Sequence, residues 1–394
     1  MLKHIYLSRT PEIHISIGLI DTLGTVMLRY GTKALVIMGK HLTSNNIYSD
    51  KINDSISKAG ISPCFETSTG EPSPETVDSI VDTYRDKDID VVCAIGGGSI
   101  IDTGKAVSAM LRENDSVLTY LEGVGTAQEH SGRKIPFIAV PTTAGTGSEA
   151  TKNAVLSRIG ADGFKKSLRH DNFVPDIALI DPGLALSCPQ SVTASSGMDA
   201  LCQLIESYVS IKASPMTDAL ALSGINYAAR SLVPVSTDRG DDINLRSDMA
   251  YAALCSGITL ANAGLGVVHG FASSIGGSFD IAHGVICGTL LAESTRVSIE
   301  KCLIHNSPEN NTALEKYAHI SDILTGKKLT DRDSSLNELI TNLYDWSEKL
   351  SMPRLGDYGI TRDDIDRIVA LTSPKNNPGA LDKIDMSVIL AKRL

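Results

Sequence analysis

The sequence predicts an α/β amino-terminal domain built on a mainly parallel sheet, followed by an all-α carboxy-terminal domain. Three observations support this. At 394 residues the chain exceeds what one core usually holds, so two domains are expected. The first half alternates short apolar, β-branched runs with amphipathic stretches, which is the pattern of strands and helices in turn. From about residue 191 onward the apolar periodicity is helical and strand-like runs largely disappear. The boundary falls near Pro182 to Pro189, giving domains of residues 1–185 and 186–394.

In chain order, residues 33–39 read as a strand ending in Gly39, 49–59 as an amphipathic helix, 70–74 as a loop and 75–85 as a helix. Residues 89–95 form an apolar strand that ends in Gly96, Gly97, Gly98 and Ser99, and a helix begins at about residue 100. A second strand, 135–140, leads into Pro-Thr-Thr-Ala-Gly-Thr-Gly-Ser-Glu at 141–149. Both glycine-bearing loops follow strands, so both open at the carboxyl edge of the sheet, where such sheets bind ligands. Glycines there either pack helix against strand or let backbone N–H groups and a helix start cradle a pyrophosphate. Asp102 sits in the first turn of that helix. Helices are expected at 193–209, 215–232, 244–260 and 266–275.

Composition narrows the function. A net charge of -10 argues against non-specific nucleic-acid binding, and no apolar run is long enough to span a bilayer. The amino terminus lacks a signal peptide's apolar core, so a cytoplasmic location is expected. Seven scattered cysteines without a Cys-x-x-Cys pair read as reduced core thiols.

Asp199 and Gln203 are four residues apart and share a helix face. His269 and His283 would stand about 21 Å apart on an unbroken helix, too far to share an ion. Gly276, Gly277 and Ser278 between them can turn the chain back and let both imidazoles converge on Asp199. Spacing alone leaves two readings open, hydrogen-bonded core histidines or a metal centre.

Gly-Gly-Gly-Ser-x-x-Asp at 96–102, the 141–149 motif, Asp-Pro at 181–182, Gly-Met-Asp-Ala-Leu at 197–201 and His-Gly at 269 and 283 together resemble the iron-containing, group III alcohol dehydrogenases. They occur in that family's order along essentially the whole chain. The resemblance implies an NAD(P)-dependent oxidoreductase that interconverts a small alcohol and an aldehyde or ketone, with hydride transfer assisted by a divalent metal, Fe or Zn, in an interdomain cleft. It implies a homodimer. It places Gly97, Gly98, Ser99 and Asp102 at the pyrophosphate, and Thr142, Thr143, Thr146, Asn153 and one of Lys165 or Lys166 at other cofactor contacts. Asp199, His269 and His283 match three of four metal ligands, and the two histidines are the catalytic candidates. Gln203 stands where relatives usually carry His, and Ser273 where they often carry another. An amide oxygen is a weaker, harder donor than imidazole, although Asp-His-His also resembles the facial triad that holds ferrous iron. Gly39, with Lys40 after it, stands where an acidic residue would bind the ribose 2′-hydroxyl, so NADP(H) is expected to be accepted. The departures keep two alternatives in view, a maleylacetate-reductase-like enzyme with weak or no metal and a degenerate nucleotide-binding homologue.

Overall fold

The computed structural model describes residues 5–43, 46–126, 128–160 and 163–394. Its strands are β1 (Glu12–Ile15), β2 (Lys33–Gly39), β3 (Ser62–Ser68), β4 (Val91–Gly96), β5 (Phe137–Pro141), β6 (Asn153–Arg158), β7 (Phe164–Arg169) and β8 (Ile177–Ile180). Six of them form one parallel sheet in the order β1-β8-β5-β4-β2-β3.

Why the central strands are apolar at every position follows from strand geometry, because successive side chains point to opposite faces and here both faces are covered. Leu35, Ile37, Val92 and Ala94 pack on one side with Val77 and Val81 of α2 (Pro74–Tyr84) and Ile101 of α3 (Gly98–Met110). Their neighbours Ala34, Val36, Val91 and Cys93 pack on the other with Ile52 and Ile56 of α1 (Asn46–Lys58). The Ser73 hydroxyl accepts from the Thr76 N–H (3.1 Å) and, with Pro74 at the first position, starts α2.

A two-stranded antiparallel ribbon, β6 paired with β7, adds to the parallel sheet that the sequence predicts. Its strands are short and polar, so neither carries the apolar run that marks a buried strand. The ribbon is joined to α3 by Asp102, whose Oδ2 accepts from the Val155 N–H (3.0 Å). Lys105, 1% exposed, completes the joint by donating to the Ser148 carbonyl (2.8 Å), the Thr151 hydroxyl (3.0 Å) and the Asn153 carbonyl (2.8 Å).

The second half is helical: α4 (Gln190–Val209), α5 (Pro215–Ser236), α6 (Ile243–Ala263), α7 (Val267–Ser278), α8 (His283–Ile304), α9 (Pro308–Thr325), α10 (Arg332–Lys349), α11 (Ile365–Leu371) and α12 (Lys383–Lys392). Helix α4 lies at its centre, packed against α5, α6 and α8, and every residue from Gly197 to Val209 is buried. The chain turns by 97° between α6 and α7, where Gly264 takes φ +70°. Among the described residues no single helix is long and apolar enough to cross a membrane.

The loop after β5 joins the two halves. Gly147 has φ +61°, and a Cβ on it would overlap the backbone of Gly257 on α6, while a Cβ on Gly145 would press on Ser196 of α4. Glycine is required at both positions by close approach, and at Gly147 by its backbone angle as well. Glu149, at the end of the same loop, is 3% exposed, and burial pushes its carboxyl up to about 7. A raised folded-state pKa stabilises the fold below the ordinary carboxylate value, and that contribution is lost as pH rises through about 7. Urea denaturation should therefore show Glu149→Gln to be more stable than the parent at pH 8, by about 3 kcal/mol, with the difference shrinking towards pH 5.

Candidate active site

Helix α4 presents Asp199, Cys202, Gln203 and Glu206 at the three- and four-residue spacings that share a face. Helix α7 brings His269 to that face two residues past its first position, and α8 begins at His283. Gly276, Gly277 and Ser278, where the sequence reading puts the turn, are instead the last helical residues of α7; the break falls just after them, at residues 279–282, before α8 starts at His283.

Asp199 Oδ1 lies 3.2 Å from His269 Nε2 and 3.7 Å from His283 Nε2. Cys287, one turn beyond His283 on α8, places its sulfur 3.6 Å from His269 Nε2 and 3.7 Å from His283 Nε2. These four donor atoms all lie within 4.8 Å of one another. Glu206, buried behind them, does two things. Its Oε2 is 2.7 Å from His269 Nδ1, and its Oε1 accepts from the Val268 N–H at 2.7 Å, at the start of α7. A carboxylate accepts only, so Glu206 fixes a proton on Nδ1, and with Asp199 the acceptor at Nε2 the ring carries a proton there too; a bound metal would take the place of the Nε2 proton.

Electrostatics agree with this arrangement. Burial would raise the Asp199 carboxyl, but the two imidazoles outweigh it and hold it below its ordinary value. Burial would likewise lower His269, yet the Cys287 sulfur, Glu206 and the Asp199 hydrogen bond hold it well above 6.5. Burial dominates at His283 and pushes it down to about 4, so this ring is neutral around neutrality. Its Nδ1 is buried without a hydrogen-bond partner among the described residues. A carboxylate, two imidazoles and a thiol crowded together form a donor set that suits a divalent transition metal, which would displace the protons on His269 and Cys287.

A cavity of about 530 Å³ opens from this cluster to the glycine loop. Gly98, Ser99, Asp102, Thr146, Asn153, Lys165, Gln203, His269, Ser273 and His283 all line it, which brings most of the residues expected from sequence to one place. Five expected cofactor contacts are not among its lining. Lys166 is the opposite neighbour of Lys165 on β7, so strand alternation turns it outward, towards Gly123. Thr142 and Thr143 line a small adjoining pocket with Asp181 and Pro182. Gly97 abuts Thr143, and Gly39 packs beside Ile100. The glycines of the first loop are held by packing as much as by ligand access, since a Cβ on Gly96 would strike Ile100 and one on Gly98 would strike Thr146.

Other side chains carry roles the sequence reading misses. Glu71 joins the two edges of the cavity, accepting from Ser99 (3.3 Å) and from Lys165 (2.7 Å). Glu206 was legible as seven residues from Asp199 and Cys287 as four from His283, both helical same-face spacings. Gln203 Oε1 accepts from the Ser256 hydroxyl of α6 (2.7 Å), and the Ser273 hydroxyl donates to the His269 carbonyl (2.9 Å).

The family model described as iron-containing alcohol dehydrogenase matches residues 10–182, and that of the Fe-containing alcohol dehydrogenase C-terminal region matches residues 193–394. The chain belongs to the iron-containing alcohol dehydrogenase family. It is 32% identical over 350 residues to the probable alcohol dehydrogenase EutG of Escherichia coli K12, covering 87% of this chain and 82% of that one. To the NAD-dependent methanol dehydrogenase of Bacillus methanolicus it is 30% identical over 361 residues, 90% of each. Among solved structures it is similar to a 1,3-propanediol oxidoreductase, with TM-score 0.88 and 27% identity over 99% of this chain and 100% of that one. As a member of this family the chain is an oxidoreductase of alcohols.

Because Glu206 orients His269 from behind, Glu206→Gln should weaken binding of a divalent metal about 10- to 100-fold while leaving the fold intact. Equilibrium dialysis against Zn²⁺ or Co²⁺, with circular dichroism as the control for folding, would measure this.

Proposed function

We propose that this enzyme transfers hydride between a nicotinamide dinucleotide and a small alcohol or carbonyl compound bound in the cavity, with a divalent metal held by Asp199, His269 and His283. The observation that carries this reading is the convergence of those three donors, two of which, His269 and His283, line the same cavity as Gly98, Ser99 and Thr146 of the glycine loops.

The start of α3 at Gly98 and Ser99 offers unpaired N–H groups to a pyrophosphate, and Lys165 stands across the cavity from it. A dinucleotide held there would share the cavity with His269 and His283. A cation on the three ligands would stabilise the negative charge that grows on the carbonyl oxygen as hydride arrives. Ser273 cannot titrate near neutrality and its hydroxyl proton is committed to a backbone carbonyl, so the alcohol proton leaves through solvent or the cofactor ribose.

Use of NADP(H) belongs to the same reading, supported by Gly39, which ends β2 at the position where an acidic residue would bind the ribose 2′-hydroxyl. Freshly purified protein should contain a stoichiometric transition metal and oxidise NADPH with an aldehyde of a broad panel. Gly39→Asp should weaken NADPH binding about tenfold while NADH binding is kept, read by fluorescence titration. Metal-free protein without turnover on any aldehyde would remove the reading.

A second reading concerns acidic substrates, the chemistry of the maleylacetate-reductase-like alternative. Lys212 and Lys375 line the helical wall of the cavity, and the Ile211 N–H donates to the Asn376 carbonyl (3.1 Å), which joins their two segments. Lys375 holds φ +52°, a conformation that costs a lysine energy and recurs at functional sites. Lys375→Met should raise KM about tenfold for an aldehyde bearing a carboxylate and leave KM for a neutral aldehyde of the same length unchanged. Equal effects on both would return the enzyme to neutral substrates.

A further inference from the structure

We propose that the Cys287 sulfur is a direct ligand of the metal, the fourth donor beside Asp199, His269 and His283; this rests on the metal-assisted reading above. The fourth position expected from sequence was Gln203, but its carbonyl oxygen is drawn to the Ser256 hydroxyl at 2.7 Å. Cys287 is instead the residue whose donor atom joins the cluster, 3.6 Å and 3.7 Å from the two imidazole nitrogens. Four donors whose atoms lie within 4.8 Å of one another surround a space into which a tetrahedral ion fits after small rotamer shifts, because ligand-to-ligand separations around zinc are about 3.3–3.8 Å for bonds of 2.0–2.3 Å. The spacing is local as well as spatial. His283 and Cys287 are four residues apart on α8, so one rigid turn delivers both. The sulfur's polar neighbours are the two histidines, Asp199 and Cys202, so three of its four partners are the other donors of the cluster.

On binding, the thiol proton leaves to solvent as the sulfur–metal bond forms, so the cysteine enters as thiolate. A thiolate changes what the site selects. A soft donor favours Zn²⁺ and Co²⁺ over oxygen-preferring ions such as Mg²⁺, and it compensates for the imidazole that Gln203 replaces.

The test is optical. Metal-stripped full-length protein is titrated with Co²⁺, and a bound thiolate gives an intense sulfur-to-cobalt charge-transfer band in the near ultraviolet. The wild type should show this band at one equivalent. Cys287→Ser should lose it and bind Co²⁺ about 100-fold more weakly, whereas Cys202→Ser, whose sulfur lies 4.0 Å from the far nitrogen of His269, should keep it. One equivalent of cobalt bound with no band, or a band that survives in Cys287→Ser, overturns the assignment and leaves the three-ligand reading standing. No cobalt uptake by the wild type overturns both.

Discussion

Glu206 faces two directions from the middle of a buried helix. One carboxylate oxygen accepts the His269 ring proton and the other accepts a backbone N–H at the first turn of α7. A carboxylate is costly to bury unpaired, and here both oxygens have charge-assisted or helix-terminus partners. The same contact thus sets where α7 begins and which nitrogen of His269 is turned towards Asp199. If the carboxylate were absent, the ring could rotate or change tautomer, and Nε2 would no longer be held towards Asp199, His283 and Cys287. The order of the whole centre therefore comes from one side chain that need not touch the ion.

The cavity depends on a second set of constraints, set in the first half of the chain. Asp102 and Lys105 tie α3 to the ribbon, and the ribbon carries Lys165 over to α7, where its stem lies along Gly276. Ser99, Glu71 and Lys165 form a polar chain across the cavity mouth. An anion entering between Ser99 and Lys165 meets a lysine already paired, so binding exchanges one partner for another instead of desolvating a free charge.

Much of this was legible in the residues. The alternation of strands and helices, the glycine turn after β4 and the change to helical periodicity after β8 follow from short-range pattern, and the sheet and helices occur accordingly. Asp199, His269 and His283 were legible because their motifs carry the family resemblance, whereas the break that lets them meet falls at residues 279–282, after the glycines expected to make it, which stay helical. What was not legible depends on tertiary contact. The ribbon β6–β7 has too few apolar residues to announce itself, and only its register decides that Lys165 faces inward and Lys166 outward. Cys287 read as a core thiol because its four-residue spacing from His283 was its one signal, and an apolar helix does not show what crosses it. Gln203 looked like a ligand by position, and its partner Ser256 lies 53 residues away on another helix.

The meeting of Gly147 with Gly257 has a consequence for how such proteins can be recombined. Two backbones in van der Waals contact have no side chain that could adjust, so the separation between the sheet half and the helical half is set there to within tenths of an ångström. Hybrids that splice the front of one relative to the back of another will seat correctly only where both parents bring glycine to this joint.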